Sequence, residues 1–146
     1  MNSYQLGGLV DYLFEITYFF GVKLISMRIM VIEDNPVISW MLKNQLEILG
    51  AVDIRIYEDF FSAFVDLESY IPDLIITNLQ ALDGWIDSFD FNLLQKKSRY
   101  LLVITGLANS DLHPVVIDDS GAATGILYKP FSSPQLCRAL QEIDFI

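Results

Sequence analysis

The chain has 146 residues, 53% of them hydrophobic, and its 19 acidic against 9 basic side chains give a net charge of -10. That length bounds it to one domain with one hydrophobic core, and the charge excludes direct nucleic-acid binding, which needs a basic stripe that nine scattered cations do not make. The single cysteine, Cys137, excludes an internal disulfide and a cysteine zinc site and fits a reducing, cytoplasmic setting.

The elements are taken in chain order. Leu6 to Ile25 is mostly apolar and close to the length of a membrane span. It carries Asp11 and Glu15, which are costly inside a bilayer and share one helical face. It also lacks the basic start and small-residue cleavage site of a signal peptide. Three readings stay open: an amphipathic helix docked on a partner or on its own domain, an extension without fixed order, and, against the two acids, a membrane segment. Residues 1–26 are therefore set apart as an apolar, helical extension, and residues 27–146 as the domain.

From Arg28 the pattern alternates. Strand Arg28–Glu33 leads into a helix from Pro36, capped by Asp34 or Asn35, with proline suited to a first turn. Ile38, Met41, Leu42, Leu46 and Leu49 recur at helical spacing, and Gly50 ends the run. A second strand spans Val52–Tyr57, and Asp59 opens a helix whose Phe60, Phe61, Phe64, Val65 and Leu67 read as core. Asp73–Asn78 is a third strand. Asp83-Gly84 opens a short irregular helix to about Lys97, Arg99–Thr105 is the fourth strand, and Ser110 to Ser120 a fourth helix. The one histidine, His113, precedes Pro114 in a polar turn and reads as a cap or a solvent-facing group rather than a base. Thr124–Tyr128 is the fifth strand, and Ser133 caps a last helix from Pro134 to about Glu142. Five strands alternating with helices predict an α/β fold, a doubly wound five-stranded parallel sheet with right-handed crossovers. No glycine-rich phosphate loop is present.

Four of the apolar strands end in a polar group: Glu33-Asp34, Asn78, Thr105 and Lys129. In open parallel sheets, sites form at the carboxyl ends of strands. Paired carboxylates suit a magnesium ion, a hydroxyl and an ammonium suit phosphoryl oxygens, and an aspartate among them would accept a phosphoryl group. The plain alternatives are a solvated strand end with a helix cap for Glu33-Asp34, a loop lysine for Lys129, and an ordinary strand threonine for Thr105.

With these residues in place, the chain resembles the CheY-like receiver domains of two-component signalling from about Arg28 to Ile143. The resemblance is carried by Ile32-Glu33-Asp34-Asn35-Pro36, Pro72-Asp73-Leu74-Ile75-Ile76-Thr77-Asn78, Asp83-Gly84, Val103-Ile104-Thr105-Gly106 and Tyr128-Lys129-Pro130-Phe131. The run from Lys129 to Leu136 also looks like receivers attached to hybrid sensor kinases. The resemblance implies a flavodoxin-like (βα)5 sheet of order 2-1-3-4-5. It implies Glu33 and Asp34 as the acidic metal pair, the Gln80 carbonyl as a third, weak metal contact, Thr105 as switch hydroxyl and Lys129 as phosphate contact. Asn78 then stands where the phosphoacceptor aspartate is expected.

Three departures follow. The amide of Asn78 is a very poor nucleophile, the loop to Asp83-Gly84 is short, and Ile126 replaces the switch aromatic. Together they describe a degenerate receiver, not an enzyme, with magnesium held weakly at most. Such a chain would bind a histidine kinase, a phosphotransfer domain or another regulator, or pair with itself, without phosphorylation. The surface expected for this comprises Leu112 to Asp119 and Gln135 to Ile143. A phosphoacceptor using a substitute carboxylate such as Asp83, and a small-anion sensor reading its ligand with Thr105 and Lys129, are the alternatives.

Overall fold

The computed structural model describes residues 24–106 and 121–146. The expected helix from Ser110 to Ser120 and nearly all of the N-terminal extension lie outside the described residues. Along the described chain run β1 (Arg28–Ile32), α1 (Pro36–Ile48), β2 (Asp53–Tyr57), α2 (Phe60–Asp66), β3 (Leu74–Thr77), β4 (Gln80–Ala81), β5 (Gly84–Trp85), α3 (Ser88–Lys97), β6 (Tyr100–Thr105), β7 (Ala123–Tyr128) and α4 (Ser133–Glu142).

Five strands form one sheet in the order β2-β1-β3-β6-β7, every neighbouring pair parallel. Numbered within the sheet alone, this is the 2-1-3-4-5 order that the resemblance implies. The central strands β1, β3 and β6 are buried almost throughout, whereas the edge strands β2 and β7 are only partly covered. A parallel sheet is covered on both faces, so its middle strands read as unbroken apolar runs.

Side chains alternate across each strand and divide the core in two. Ile29, Val31, Ile76 and Leu102 pack against Leu42 and Leu46 of α1 and Leu136 and Leu140 of α4. On the other face, Met30, Ile32, Ile75 and Leu101 meet Phe60 and Ala63 of α2 and Phe91 and Leu94 of α3. Each fully buried Leu, Ile or Phe contributes about 1.5–3 kcal/mol. The first face also takes in both ends of the described chain. Leu24 is fully buried there, ahead of Met27, and so is Phe145, whose ring meets Tyr100 edge-on at 5.3 Å. Gly125 permits that closure: a Cβ on it would stand 2.7 Å from Ile143 Cγ2.

Caps set the helix starts. Asn35 accepts from the Val37 N–H at 3.0 Å, ahead of Pro36. Asp59 accepts from Ser62 N–H at 2.6 Å. At α4 the cap is Ser132, one residue before the one expected, in a reciprocal capping box with Gln135.

Two expectations are corrected. Asp83-Gly84 does not open a helix. It turns an antiparallel hairpin, β4 with β5, and α3 begins only at Ser88, capped by Asp87. Gly84 takes φ +105°, where side-chain-bearing residues are strained. The aromatic stripe is also only half core. Phe60 and Leu67 are buried, but Phe61 and Val65 are exposed. A helix of seven residues with a 3.6-residue repeat puts 60, 63 and 67 on one face and turns 61 and 65 away.

Candidate functional site

The parallel register brings the carboxyl ends of the strands level, and backbone bonds continue past them. The N–H of Glu33 donates to the Tyr57 carbonyl at 2.9 Å, that of Asn78 to Ile32 at 3.0 Å, and that of Lys129 to Thr105 at 2.8 Å. These bonds stitch β1 to β2, β3 to β1 and β7 to β6 at the height where the sequence puts its polar residues. The Lys129–Pro130 peptide, cis in this structure, then turns the chain toward α4.

The centre of this cluster is an ion pair. Lys129 Nζ donates to Glu33 Oε2 at 2.9 Å, with the Glu33 side chain fully buried and that of Lys129 19% exposed. The other oxygen, Glu33 Oε1, accepts from the Asn35 N–H at 3.1 Å. A buried carboxylate is tolerable only when its charge and lone pairs are met, and here both oxygens are engaged. The pair joins positions 96 residues apart in sequence.

The amide of Asn78 is turned onto its own backbone. Its Oδ1 accepts from the Leu79 N–H at 2.9 Å, while Thr77 Oγ1 donates to the Asn78 carbonyl at 2.8 Å. Thr105 is buried at the end of β6, and Asp34 stands partly exposed beside Glu33. Gln80 lies in β4 opposite Trp85, its side chain exposed. Glu33 and Lys129 are thus in direct contact, with Asn78 and Thr105 bonded into the same strand ends.

Asp83 is engaged elsewhere. Its two oxygens accept from the N–H groups of Phe60 and Phe61 at 2.9 and 3.0 Å. Burial pushes its pKa up, but these two bonds, with one from its own N–H, prevail and hold the carboxyl below the usual range. The Leu82 N–H also donates to the Glu58 carbonyl at 3.0 Å, so the hairpin is fastened across the start of α2. This fastening was missed in the sequence, although an Asp-Gly pair between apolar residues is a hairpin signal.

As for a cation, no group of three or more carboxylate, histidine or cysteine side chains is placed to hold a metal among the described residues. Magnesium wants several oxygen ligands around a net negative site. Glu33 already has one oxygen on an ammonium, and Asn78 brings no charge. Asp34, partly exposed, is the remaining carboxylate of the pair, so these residues are a poor fit for a magnesium ion, which they would hold weakly at most.

No protein-family model matches the chain, and no curated protein matches its sequence. Solved structures do match its fold. The response regulator PhyR from Brucella abortus superposes with a TM-score of 0.68 at 19% identity, over 99% of this chain and 57% of its own length. The receiver domain of PhyR from Erythrobacter litoralis gives 0.63 at 22%, over 83% of this chain and 92% of its own. The receiver domain of a sensor histidine kinase from Pseudomonas aeruginosa, solved with a magnesium ion in its active-site cleft, gives 0.62 at 20%, over 81% and 98%. The chain therefore spans a little over half the length of Brucella PhyR. At these identities the likeness is one of fold: a five-stranded parallel sheet with helices on both faces, as in response-regulator receiver domains.

Proposed function

We propose that this chain, having the receiver fold, is a degenerate receiver that works in two-component, phosphorelay signalling by binding other proteins rather than by accepting phosphate. The Glu33–Lys129 pair carries this reading. In the receiver scheme implied by the sequence motifs, Lys129 would be held for a phosphoryl group and Glu33 for a cation. Here each neutralises the other at 2.9 Å, and the residue between their strands is an amide bonded to its own neighbour. Lys129 is thus less available to an incoming dianion, and the amide supplies no nucleophile to take one.

The same contacts weigh against the alternatives. Asp83 as a substitute acceptor would first have to give up two backbone bonds at the start of α2. An anion read by Lys129 would have to displace a buried carboxylate. Binding is the activity left to the module, and its partners are a histidine kinase, a phosphotransfer domain or another regulator, with self-pairing the further form. Val37 and Trp40, exposed on α1 just beyond the pocket, are apolar groups of the sort such contacts use. In this reading residues 27–146 are the module, residues 1–26 an added apolar segment, and the setting cytoplasmic. No helix among the described residues is long and apolar enough to cross a membrane.

Incubation with magnesium and acetyl phosphate, followed by intact mass, tests the proposal. The native chain is expected to gain no phosphoryl adduct and Asn78→Asp to gain one, because the variant restores a carboxylate beside Glu33 and Lys129. An adduct on the native chain overturns the reading and directs attention to another carboxylate.

A further inference from the structure

Beside the pocket, at the same carboxyl end of the sheet, the hairpin and the helix starts of α2 and α3 carry four exposed apolar side chains. Phe61 is 73% exposed, Leu82 65%, Trp85 58% and Phe89 78%. Backbone bonds and a cap bring the segments that carry them together. Asp83 binds the backbone of Phe60 and Phe61, Leu82 binds Glu58, and Asp87, two residues after Trp85, caps the helix that carries Phe89. Three large aromatic or aliphatic groups and a phenylalanine beside a helix cap are costly to leave in water.

The charge along this stretch of the chain has one sign. Glu58, Asp59, Asp83, Asp87 and Asp90 lie on the same hairpin and helix starts, and between Arg55 and Lys96 the sequence has no lysine, arginine or histidine. Lys96 and Lys97 are at the far end of α3, a helix roughly 15 Å long at 1.5 Å per residue. Asp90 carries the mark of this crowding: partial burial, then the charges of Asp87 and Asp83, hold its carboxyl above the ordinary range. An approaching cation would relieve that repulsion.

We infer that the surface formed by Phe61, Leu82, Trp85 and Phe89 docks a basic, amphipathic protein segment, whose apolar side chains cover the aromatic cluster while its lysines or arginines meet Asp83, Asp87 and Asp90. The charge decides the occupant. A second copy of this chain would bring like charges together in a protein of net charge -10. Nucleic acid and anionic membranes are repelled for the same reason. A helix with apolar groups at i, i+3, i+4 and i+7 and a cationic border matches both properties. The inference rests on none of the strand-end residues, so it stands or falls apart from the phosphate-independent reading of the pocket.

The test uses the full chain and a phage-displayed library of 18-residue helical peptides. Enriched peptides are expected to be basic and amphipathic. Synthesised and titrated by fluorescence anisotropy, they should bind Trp85→Ser/Phe89→Ser roughly tenfold or more weakly than the native chain, since aromatic anchors dominate such interfaces. They should bind Asp87→Asn/Asp90→Asn several-fold more weakly, with a shallower salt dependence. Asparagine keeps the cap at position 87, and circular dichroism with urea midpoints verifies that both variants are folded. Neutral or acidic winners, no enrichment, or affinity unchanged by the aromatic substitutions would overturn the inference. So would a light-scattering mass showing that the aromatic pair instead holds two copies together.

Discussion

The strand-end pocket and the hairpin beside it handle charge in opposite ways. In the pocket one carboxylate, Glu33, is fully buried and matched to one ammonium and one backbone N–H. On the hairpin and the helix starts, several carboxylates are gathered with no basic side chain in that stretch of sequence, next to exposed aromatic rings. The first region has its buried charge matched from within. The second has unspent attraction for an external cation and uncovered apolar surface. Affinity for a partner is therefore expected where charge is unbalanced rather than where the motif residues lie.

Breaking the pocket pair should give the largest effect. Lys129→Met strands a buried carboxylate and is expected to lower unfolding stability by about 3–5 kcal/mol in urea titrations. Glu33→Leu combined with Lys129→Met should recover most of it, because an apolar pair of similar size leaves no charge uncompensated. A single variant as stable as the native chain would remove the contrast.

Asp83→Ala comes next, at about 1 kcal/mol, the usual cost of removing a carboxylate from a helix start. Its acidity sets the pH window. The folded-state value is lowered below that of the unfolded chain, so the stabilisation is full above the unfolded aspartate range, about pH 4, and is lost as pH falls through the folded value. The difference between native and Asp83→Ala unfolding should accordingly shrink on acidification. A difference that grows would mean that the two backbone bonds do not favour the charged form. The smallest effect sharpens the comparison most. Trp85→Ser/Phe89→Ser should change stability by less than about 0.5 kcal/mol, as exposed substitutions do, while binding drops.

What could be read in the sequence follows from how each feature is encoded. Ile29 to Ile32, Leu74 to Ile76 and Leu101 to Ile104 are unbroken apolar runs because both their faces are covered, so the strands could be read directly, while their order came from the family resemblance. Asn35-Pro36 is a local signal with a local outcome. The hairpin escaped because two-residue strands have no periodicity to detect. Phe61 and Val65 misled because a short apolar helix does not declare which of its faces is buried. At the strand ends, Glu33, Asn78, Thr105 and Lys129 could be placed near one another by topology alone. The counterion that Lys129 takes depends on side-chain geometry across three other strands' ends, and no spacing in the sequence specifies it.

The two faces of the sheet also differ in when their parts leave the ribosome. The face built on α2 and α3 draws its buried residues from Met30 to Ala122. The opposite face needs both Leu24 and Phe145, with Leu136 and Leu140 between. At synthesis rates of about 5–20 residues per second, the interval between Ala122 and Phe145 is on the order of 1–5 s. For that interval the nascent chain holds Ile29, Val31, Ile76, Leu102 and Ile104 with α1 but without α4, the second helix of that face, so part of the apolar sheet face is open to chaperones and to other nascent chains. Gly125 then becomes a matter of timing as well as of space: it leaves the gap into which Ile143, made some 18 residues later, must fit.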